Sequence, residues 1–483
     1  MEYITYEMYG AVGDGVTDDM PAIVRAHAEA NAKFLPVRAK AGATYYLCGH
    51  GCTAEIQTNT DWTGARFLID DSGIREGQDF QDRFKSIFQV TSKREEIPLS
   101  IASLRQGQTT LANPTGEDLY VLVRNANHRD YIRWGLNQNN GTARTDNFIL
   151  RADGTMPSPV AFDFDEVTDA TALPIDAEKL AITGGTFTTI ANQAESKYNY
   201  FARNILIRRS NVEMHGVTHL VTGEIDHGAP YNGFLTISCC AQVYVHDCVF
   251  TGHYIYNTIG AAGKPVDMGS YDINLSNASS VTLARCSQTT DIMDRHYWGL
   301  IGTNFCRDLL LEDCNFSRFD AHMGVTNCTL RRCVLGWQCL NAIGYGTFLV
   351  EDTEAYGYAL VNLRVDYGSS WNGKMILRNC TWHPLGQNRS VFEAHNPGNH
   401  DFGYTCYLPQ YVTIDGLQIV ENAPSDRPLT VFNDYSGDKS IPEAERIYKP
   451  IPPVSVTVRN LDREIQLCAL PSLMTNTVFA IED

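Results

Sequence analysis

The fold class this sequence predicts is an all-β solenoid of stacked coils, closed at its N-terminal end by one capping helix. Three observations predict it. A short tetrad recurs along the chain, its copies are irregularly spaced, and one amphipathic segment lies ahead of the first copy. At 483 residues an ordinary globular chain would divide into two or three domains, but a solenoid grows along one axis without needing a larger core.

In chain order, the first element is the helix. Asp14-Gly15-Val16-Thr17-Asp18-Asp19 leads into Met20-Pro21-Ala22-Ile23, with Thr17 or Asp18 as the N-cap. Ile23, Ala26, Ala30 and Phe34 then recur at helical spacing. A solenoid must cover its open end, and this helix is the lid. Residues 1–74 therefore read as the cap and first coils. Residues 75–200 lack the tetrad and read as an inserted or elaborated β region. It includes a hairpin excursion around Tyr131-Ile132-Arg133-Trp134-Gly135, Asn139-Asn140-Gly141 and Phe148-Ile149-Leu150. Residues 201–483 read as the main coils, with a closing strand pair near Pro450, Pro452 and Pro453.

The tetrad is an aliphatic residue, two polar or small residues, then usually Cys. It appears as Val245-His246-Asp247-Cys248, Leu283-Ala284-Arg285-Cys286, Leu311-Glu312-Asp313-Cys314 and Leu330-Arg331-Arg332-Cys333. Weaker copies are Ile207-Arg208-Arg209-Ser210, Val350-Glu351-Asp352-Thr353 and Leu377-Arg378-Asn379-Cys380; Ile414-Asp415-Gly416-Leu417 and Val458-Arg459-Asn460-Leu461 extend the series. From Ser210 to Cys380 the fourth positions are 38, 38, 28, 19, 20 and 27 residues apart. A helical repeat would hold a more uniform period. Short strands joined by turns of variable length each add one rung.

A formal charge of −18, with no basic stripe, argues against a nucleic-acid partner but leaves room for a charged glycan. Met1-Glu2-Tyr3-Ile4-Thr5-Tyr6 has neither a basic nor an apolar leader region, so a cytoplasmic location is expected, or secretion if a leader has been trimmed. No apolar run approaches the roughly 18 residues of a membrane span. The 14 cysteines read as stacked core thiols of a reducing compartment, with disulfides as the alternative.

Tyr9-Gly10-Ala11-Val12-Gly13-Asp14-Gly15-Val16-Thr17-Asp18-Asp19-Met20-Pro21-Ala22-Ile23 closely resembles the entry motif of the pectate-lyase-like superfamily, and Gly42-Ala43-Thr44-Tyr45-Tyr46-Leu47 looks like that family's following strand. The resemblance implies a right-handed parallel β-helix and the superfamily's glycoside hydrolases, polysaccharide lyases, epimerases and phage tailspikes. It is informative about fold and weak about reaction. The polygalacturonase pattern does not carry over: Gly49-His50-Gly51 comes before the repeats, Thr289-Thr290-Asp291 is only a loose echo, and no Arg-Ile-Lys occurs.

The tetrads align the coils. Seven residues past each fourth position stand Val217, Ile255, Met293, Ala321, Leu340 and Leu360, an apolar column that should face inward. Alternation then turns the neighbouring positions outward. These include Thr218, Tyr256, Asp294, His322, Asn341 and Val361 on one side, and Tyr254, Ile292, Asp320, Cys339 and Ala359 on the other. His296 continues the face. Rungs about 4.8 Å apart would bring carboxylates within glycosidase range. Asp294 and Asp320 are thus the expected acid/base pair, His322 a tuning or substitute group, and Asp291 a further candidate should a bulge shift the register. Tyr256, His253, His296, Tyr297, Trp298 and Asn341 are expected sugar contacts. Arg295, Arg318 and Arg364 could hold an anionic substituent.

The function read from these residues is a glycoside hydrolase acting on an oligo- or polysaccharide. The alternatives are a polysaccharide lyase or uronate epimerase, using His322, His296, Tyr297 or an Arg beside a uronic acid, and a non-catalytic glycan-binding spike or adhesin. Neither terminus shows the coiled-coil heptads of a trimeric spike, and the oligomeric state stays open. No cofactor is expected, save Ca²⁺ if the protein is a lyase. No metal set is read: Cys48, His50 and Cys52 match no zinc spacing, and His215 and His219 would lie about 13 Å apart along a strand. Asn277-Ala278-Ser279 has glycosylation-acceptor form, which means little without secretion.

Overall fold

The computed structural model describes residues 2–49, 51–74, 85–135, 140–197, 200–259, 265–421 and 426–482, so His50 and Asn139 lie outside the described residues. The chain forms two compact units. The first comprises Met1–Ile97, Thr115–Tyr120 and Ala172–Ile301; the second comprises Pro98–Pro114, Val121–Thr171 and Gly302–Asp483.

Each unit is a parallel β-helix. In the first, Val212–His215 pairs in parallel with Leu235–His246, which pairs in turn with Ile273–Ala284. In the second, Asn315–Arg331 pairs with Val334–Ala342 and Gly344–Glu351. The stack continues through Trp371–Arg378, Tyr411–Asp415, Ser455–Arg459 and Val478–Glu482. The C-terminal strands are thus further parallel rungs. Coils of the first unit include Phe88–Val90, Leu180–Thr183 and Thr186–Ile190, so the region without tetrads is partly coil. Between these coils, Leu119–Asp130, Thr142–Leu150 and Asp169–Pro174 make a separate three-stranded sheet.

The helix spans Met20–Lys33, and its cap is Asp19 rather than Thr17 or Asp18. The acids around it have other work. Asp14 accepts the backbone N–H groups of Val16 and Thr17 at 2.9 and 2.8 Å, and Asp19 accepts those of Val12 and Gly13 at 2.6 and 3.1 Å. The entry motif is therefore a set of backbone-binding turns. On the buried face, the Tyr6 hydroxyl meets His27 Nε2 at 3.0 Å and accepts from Trp62 Nε1 at 2.7 Å. Burial pushes the His27 pKa down to about 3, keeping it a neutral core residue.

The tetrad has a local cause. Its third residue turns the chain in the left-handed region: φ lies between 48° and 54° at Asp247, Arg285, Asp313, Arg332, Asp352, Asn379 and Asn460. Asp and Asn tolerate this conformation, whereas Arg does so less readily. Arg285 and Arg332 are each anchored to the acid one coil earlier, Asp247 at 2.7 Å and Asp313 at 2.8 Å. The fourth residue folds inward, and its thiol donates to the carbonyl two residues back: Cys248 to His246 at 3.2 Å, and Cys286, Cys314, Cys333 and Cys380 to their counterparts at 3.4 Å. Thr353 does the same with its hydroxyl at 2.8 Å, which explains why Thr replaces Cys there. All fourteen cysteines are free thiols.

One copy is out of register. Met214 pairs with Val245 and His215 with His246, so the first unit's matching tetrad is Met214-His215-Gly216-Val217, with Gly216 at φ 69°. Ile207-Arg208-Arg209-Ser210 instead follows on from the strand Ile205–Ile207, which pairs with the N-terminal part of Leu235–His246, Ile207 opposite Ile237.

Candidate functional site

In the second unit, strand pairing places Asp320 opposite Asn341, Asn341 opposite Asn362, and Asn362 opposite Glu393. Apolar columns flank this polar one. Phe319, Leu340, Val361 and Phe392 lie on one side, Ala321, Ala342, Leu363 and Ala394 on the other, and all are buried. Alternation therefore turns the polar column away from the core. Counting from the tetrads sets His322 beside Asn341. The register shifts between Phe316 and Arg318, because the Val334–Ala342 coil carries extra residues around Trp337-Gln338, and it is Asp320 that faces Asn341. One coil on, Leu340 pairs with Val361, so Asn362 rather than Val361 takes the outward place.

The column is graded from closed to open. Asp320 is fully buried and accepts from Arg318 Nη2 at 2.7 Å and Arg364 Nη1 at 2.6 Å. Arg364 also grips Asp366 through Nε and Nη2 at 3.0 and 2.7 Å, and Arg133 Nε reaches the same carboxylate at 3.0 Å. Burial opposes the Asp366 charge, but Arg364 and Arg133 outweigh it and hold the pKa below the usual carboxylate range. Asn362 Nδ2 donates to Asn341 Oδ1 at 2.7 Å. His322 Nδ1 meets Asn304 Oδ1 at 2.9 Å; burial, aided by the Arg364 charge, pushes its pKa down to about 4, so the ring is neutral.

Glu393, at the open end, differs from the other carboxylates. It is partly exposed, no Lys or Arg pairs with it among the described residues, and burial alone raises its pKa. Two residues on, the His395 ring lies 4.8 Å from the partly exposed indole of Trp134, whose backbone N–H is fixed to the Asp366 carbonyl at 2.9 Å. In the same unit, a cleft of about 500 Å³ is lined by His128, Arg144, His400, Asp401, Tyr404 and Lys449. Here Asp130 holds Arg144 at 3.0 Å and His128 at 3.0 Å, and His400 Nε2 bonds the Ile132 carbonyl at 2.9 Å, one side of the segment that carries Trp134.

The remaining candidates lie in the first unit and take other positions than an extended strand would give. Asp291–Trp298 is a run of turns. Asp291 Oδ1 accepts from the Met293 N–H at 2.9 Å, and Asp294 Oδ1 accepts from that of His296 at 2.9 Å and meets its Nδ1 at 2.7 Å. These contacts pull the Asp294 pKa down, the backbone donor first. Arg295 and His296 are exposed, Tyr297 stacks on Tyr254 at 5.0 Å, and Trp298 packs near Tyr271. Tyr256 and His253 do not face outward: both are buried, Tyr256 in an antiparallel hairpin with Pro265–Met268.

His253 belongs to a buried network. Its Nε2 meets Asp272 Oδ1 at 3.1 Å and its Nδ1 meets Glu224 Oε1 at 2.8 Å, while His219 Nδ1 meets both Asp272 oxygens at 2.9 Å. Burial works against the His253 charge, but Glu224 and Asp272 outweigh it and hold the pKa at about 10. The ligand-capable atoms of His219, His253 and Asp272 all lie within 4.8 Å of one another.

No protein-family model matches the sequence, and no curated protein sequence does. The fold defines the class: the chain is a right-handed parallel β-helix. Among solved structures it is similar to the tailspike of Acinetobacter baumannii bacteriophage AP22, solved with an A. baumannii capsular saccharide (11% identity, 99% of this chain and 74% of that one, TM-score 0.54). The tailspike of Pseudomonas phage phi297 matches at 11% identity over 89% of this chain and 82% of that one, TM-score 0.49. The Streptococcus pneumoniae surface adhesin PfbA matches at 12% over the whole of both chains, TM-score 0.41. At 11% identity the likeness to the AP22 tailspike shows the fold alone. Among the described residues, no helix is long and apolar enough to cross a membrane.

Proposed function

We propose that this protein binds an oligo- or polysaccharide along the outward column of its second unit and cleaves it as a glycoside hydrolase, with Glu393 as the proton donor. The observation that carries this is the contrast within one column. Asp320 is locked between two guanidinium groups, whereas Glu393 stands partly open, unpaired with Lys or Arg among the described residues and with a raised pKa. A glycosidase needs such a carboxyl, kept protonated until it donates to the leaving oxygen. Trp134 supplies a sugar-stacking face beside His395, and Asn362 supplies an amide for hydroxyl groups. The AP22 tailspike, solved with a capsular saccharide, supports a saccharide as the ligand.

A second reading is favoured by one distance. Glu393 and Asp320 are three rungs apart, roughly 14 Å, beyond the roughly 6.5–9.5 Å between the carboxyl groups of inverting glycosidases. On that reading the column binds glycan without cutting it. A panel of bacterial capsular and plant oligosaccharides separates the two. Cleavage that releases reducing ends, without the ultraviolet absorbance of an unsaturated uronide, and that is lost in Glu393→Gln, supports hydrolysis. Binding without new reducing ends supports the binder, and the uronide absorbance would make the protein a lyase.

A further inference from the structure

We propose that His219, His253 and Asp272 of the first unit form a buried site for one divalent transition-metal ion of the zinc type. The three come from separate points of the chain. His219 is on the strand Thr218–Thr222, His253 follows the strand Val249–Phe250, and Asp272 precedes the strand Ile273–Ala284. Their side chains are at most 2% exposed, and two imidazole nitrogens and a carboxylate converge within 4.8 Å. Around a tetrahedral zinc ion with ligands at about 2.0–2.2 Å, neighbouring ligand atoms sit about 3.3 Å apart. The present separations of 2.9 and 3.1 Å between the imidazole nitrogens and Asp272 Oδ1 need to open by only a few tenths of an ångström.

The surroundings fit an ion as well as the ligands do. A metal-bound imidazole presents its other nitrogen to an orienting partner. His253 Nδ1 has Glu224 Oε1 at 2.8 Å, and His219 Nε2 has Thr189 Oγ1 at 3.0 Å. Asp272 is itself steadied by the backbone N–H of Thr251, at 2.9 Å from Oδ2. Charge argues the same way. Asp272 and Glu224 are buried carboxylates, and among the described residues neither pairs with a Lys or Arg. Two buried negative charges call for about two positive ones, of which the His253 imidazolium supplies one when no metal is bound. One divalent ion between two neutral imidazoles provides them, and two nitrogens with one carboxylate suit zinc-like ions better than calcium or magnesium, which prefer oxygen.

The test uses the whole chain, stripped of metal by a chelator and dialysed. Titration with Co²⁺ should give a visible ligand-field band that saturates at one equivalent and is displaced by Zn²⁺, and Zn²⁺ should raise the melting temperature. Glu224→Gln, which leaves the three ligands in place, should weaken binding by about 10- to 100-fold. His253→Gln and Asp272→Asn should abolish the band. If the native protein shows no cobalt band and no zinc-dependent melting shift, the proposal is overturned whatever the variants do. It is equally overturned if a folded His253→Gln protein still gives the one-equivalent band.

Discussion

Asp320→Asn tests how the column is built. The carboxylate is fully buried and takes 2.6 and 2.7 Å contacts from Arg364 and Arg318. An amide keeps the shape but removes the charge, so Arg318 and Arg364, each only 8% exposed, lose their shared counter-charge. Arg364 retains both oxygens of Asp366. Breaking a buried ion pair from one side costs about 3–5 kcal/mol, and in a unit of this size each kcal/mol lowers the melting temperature by about 2–4 °C. We expect a fall of roughly 10 °C by calorimetry. Glycan cleavage at temperatures where the variant is still folded should persist, because Asp320 positions Arg364 and does not itself reach the substrate. A melting temperature within a degree or so of wild type would show that Asp320 does not hold the two guanidinium groups in place, and complete loss of cleavage by a fully folded variant would show that it acts on the substrate itself.

Other outcomes follow from the same groups. Glu393 has a raised folded pKa, so the stability linked to its proton is full below about 4.3, the unfolded value, and is lost as pH rises through the raised one. Glu393→Gln should therefore melt like wild type near pH 4 and higher than wild type at pH 8, while losing cleavage at both. His322 has the opposite sign: its folded pKa of about 4 lies below the usual 6.5, so stability is full above 6.5 and falls as pH drops towards 4. His322→Gln should shrink the acid loss, worth up to about 3 kcal/mol, seen in urea unfolding at pH 7 against pH 4.5. Trp134→Ala should weaken oligosaccharide binding about tenfold by calorimetric titration. Asp294→Asn, at an exposed turn, should change stability by less than about 0.5 kcal/mol in urea unfolding and leave cleavage intact.

The coils were legible because the tetrad is enforced locally. A left-handed third residue and an inward thiol that caps its own strand recur wherever the turn recurs, whatever the coil length. The site was less legible because an outward position depends on counting residues across a coil, and the coils do not hold a constant length. The extra residues near Trp337-Gln338 moved Asp320, not His322, into line with Asn341, and one more before Val361 moved Asn362 into the column. Aligning on the apolar–polar–apolar triplets Phe319-Asp320-Ala321, Leu340-Asn341-Ala342, Val361-Asn362-Leu363 and Phe392-Glu393-Ala394 would have found Glu393. Trp134 was seen only as part of an excursion, since its closeness to His395 comes from pairing distant in sequence. Between Asp291 and Trp298, the aspartates bind backbone N–H groups two residues on, which turns the chain where an extended strand had been expected.

The most direct measurement is reducing-end release by Glu393→Gln beside wild type, on an oligosaccharide that both proteins bind. The variant should bind with wild-type affinity and cleave at least about 100-fold more slowly, the scale on which a general acid contributes. Cleavage at the wild-type rate by the folded variant would contradict the assignment of Glu393 as the proton donor.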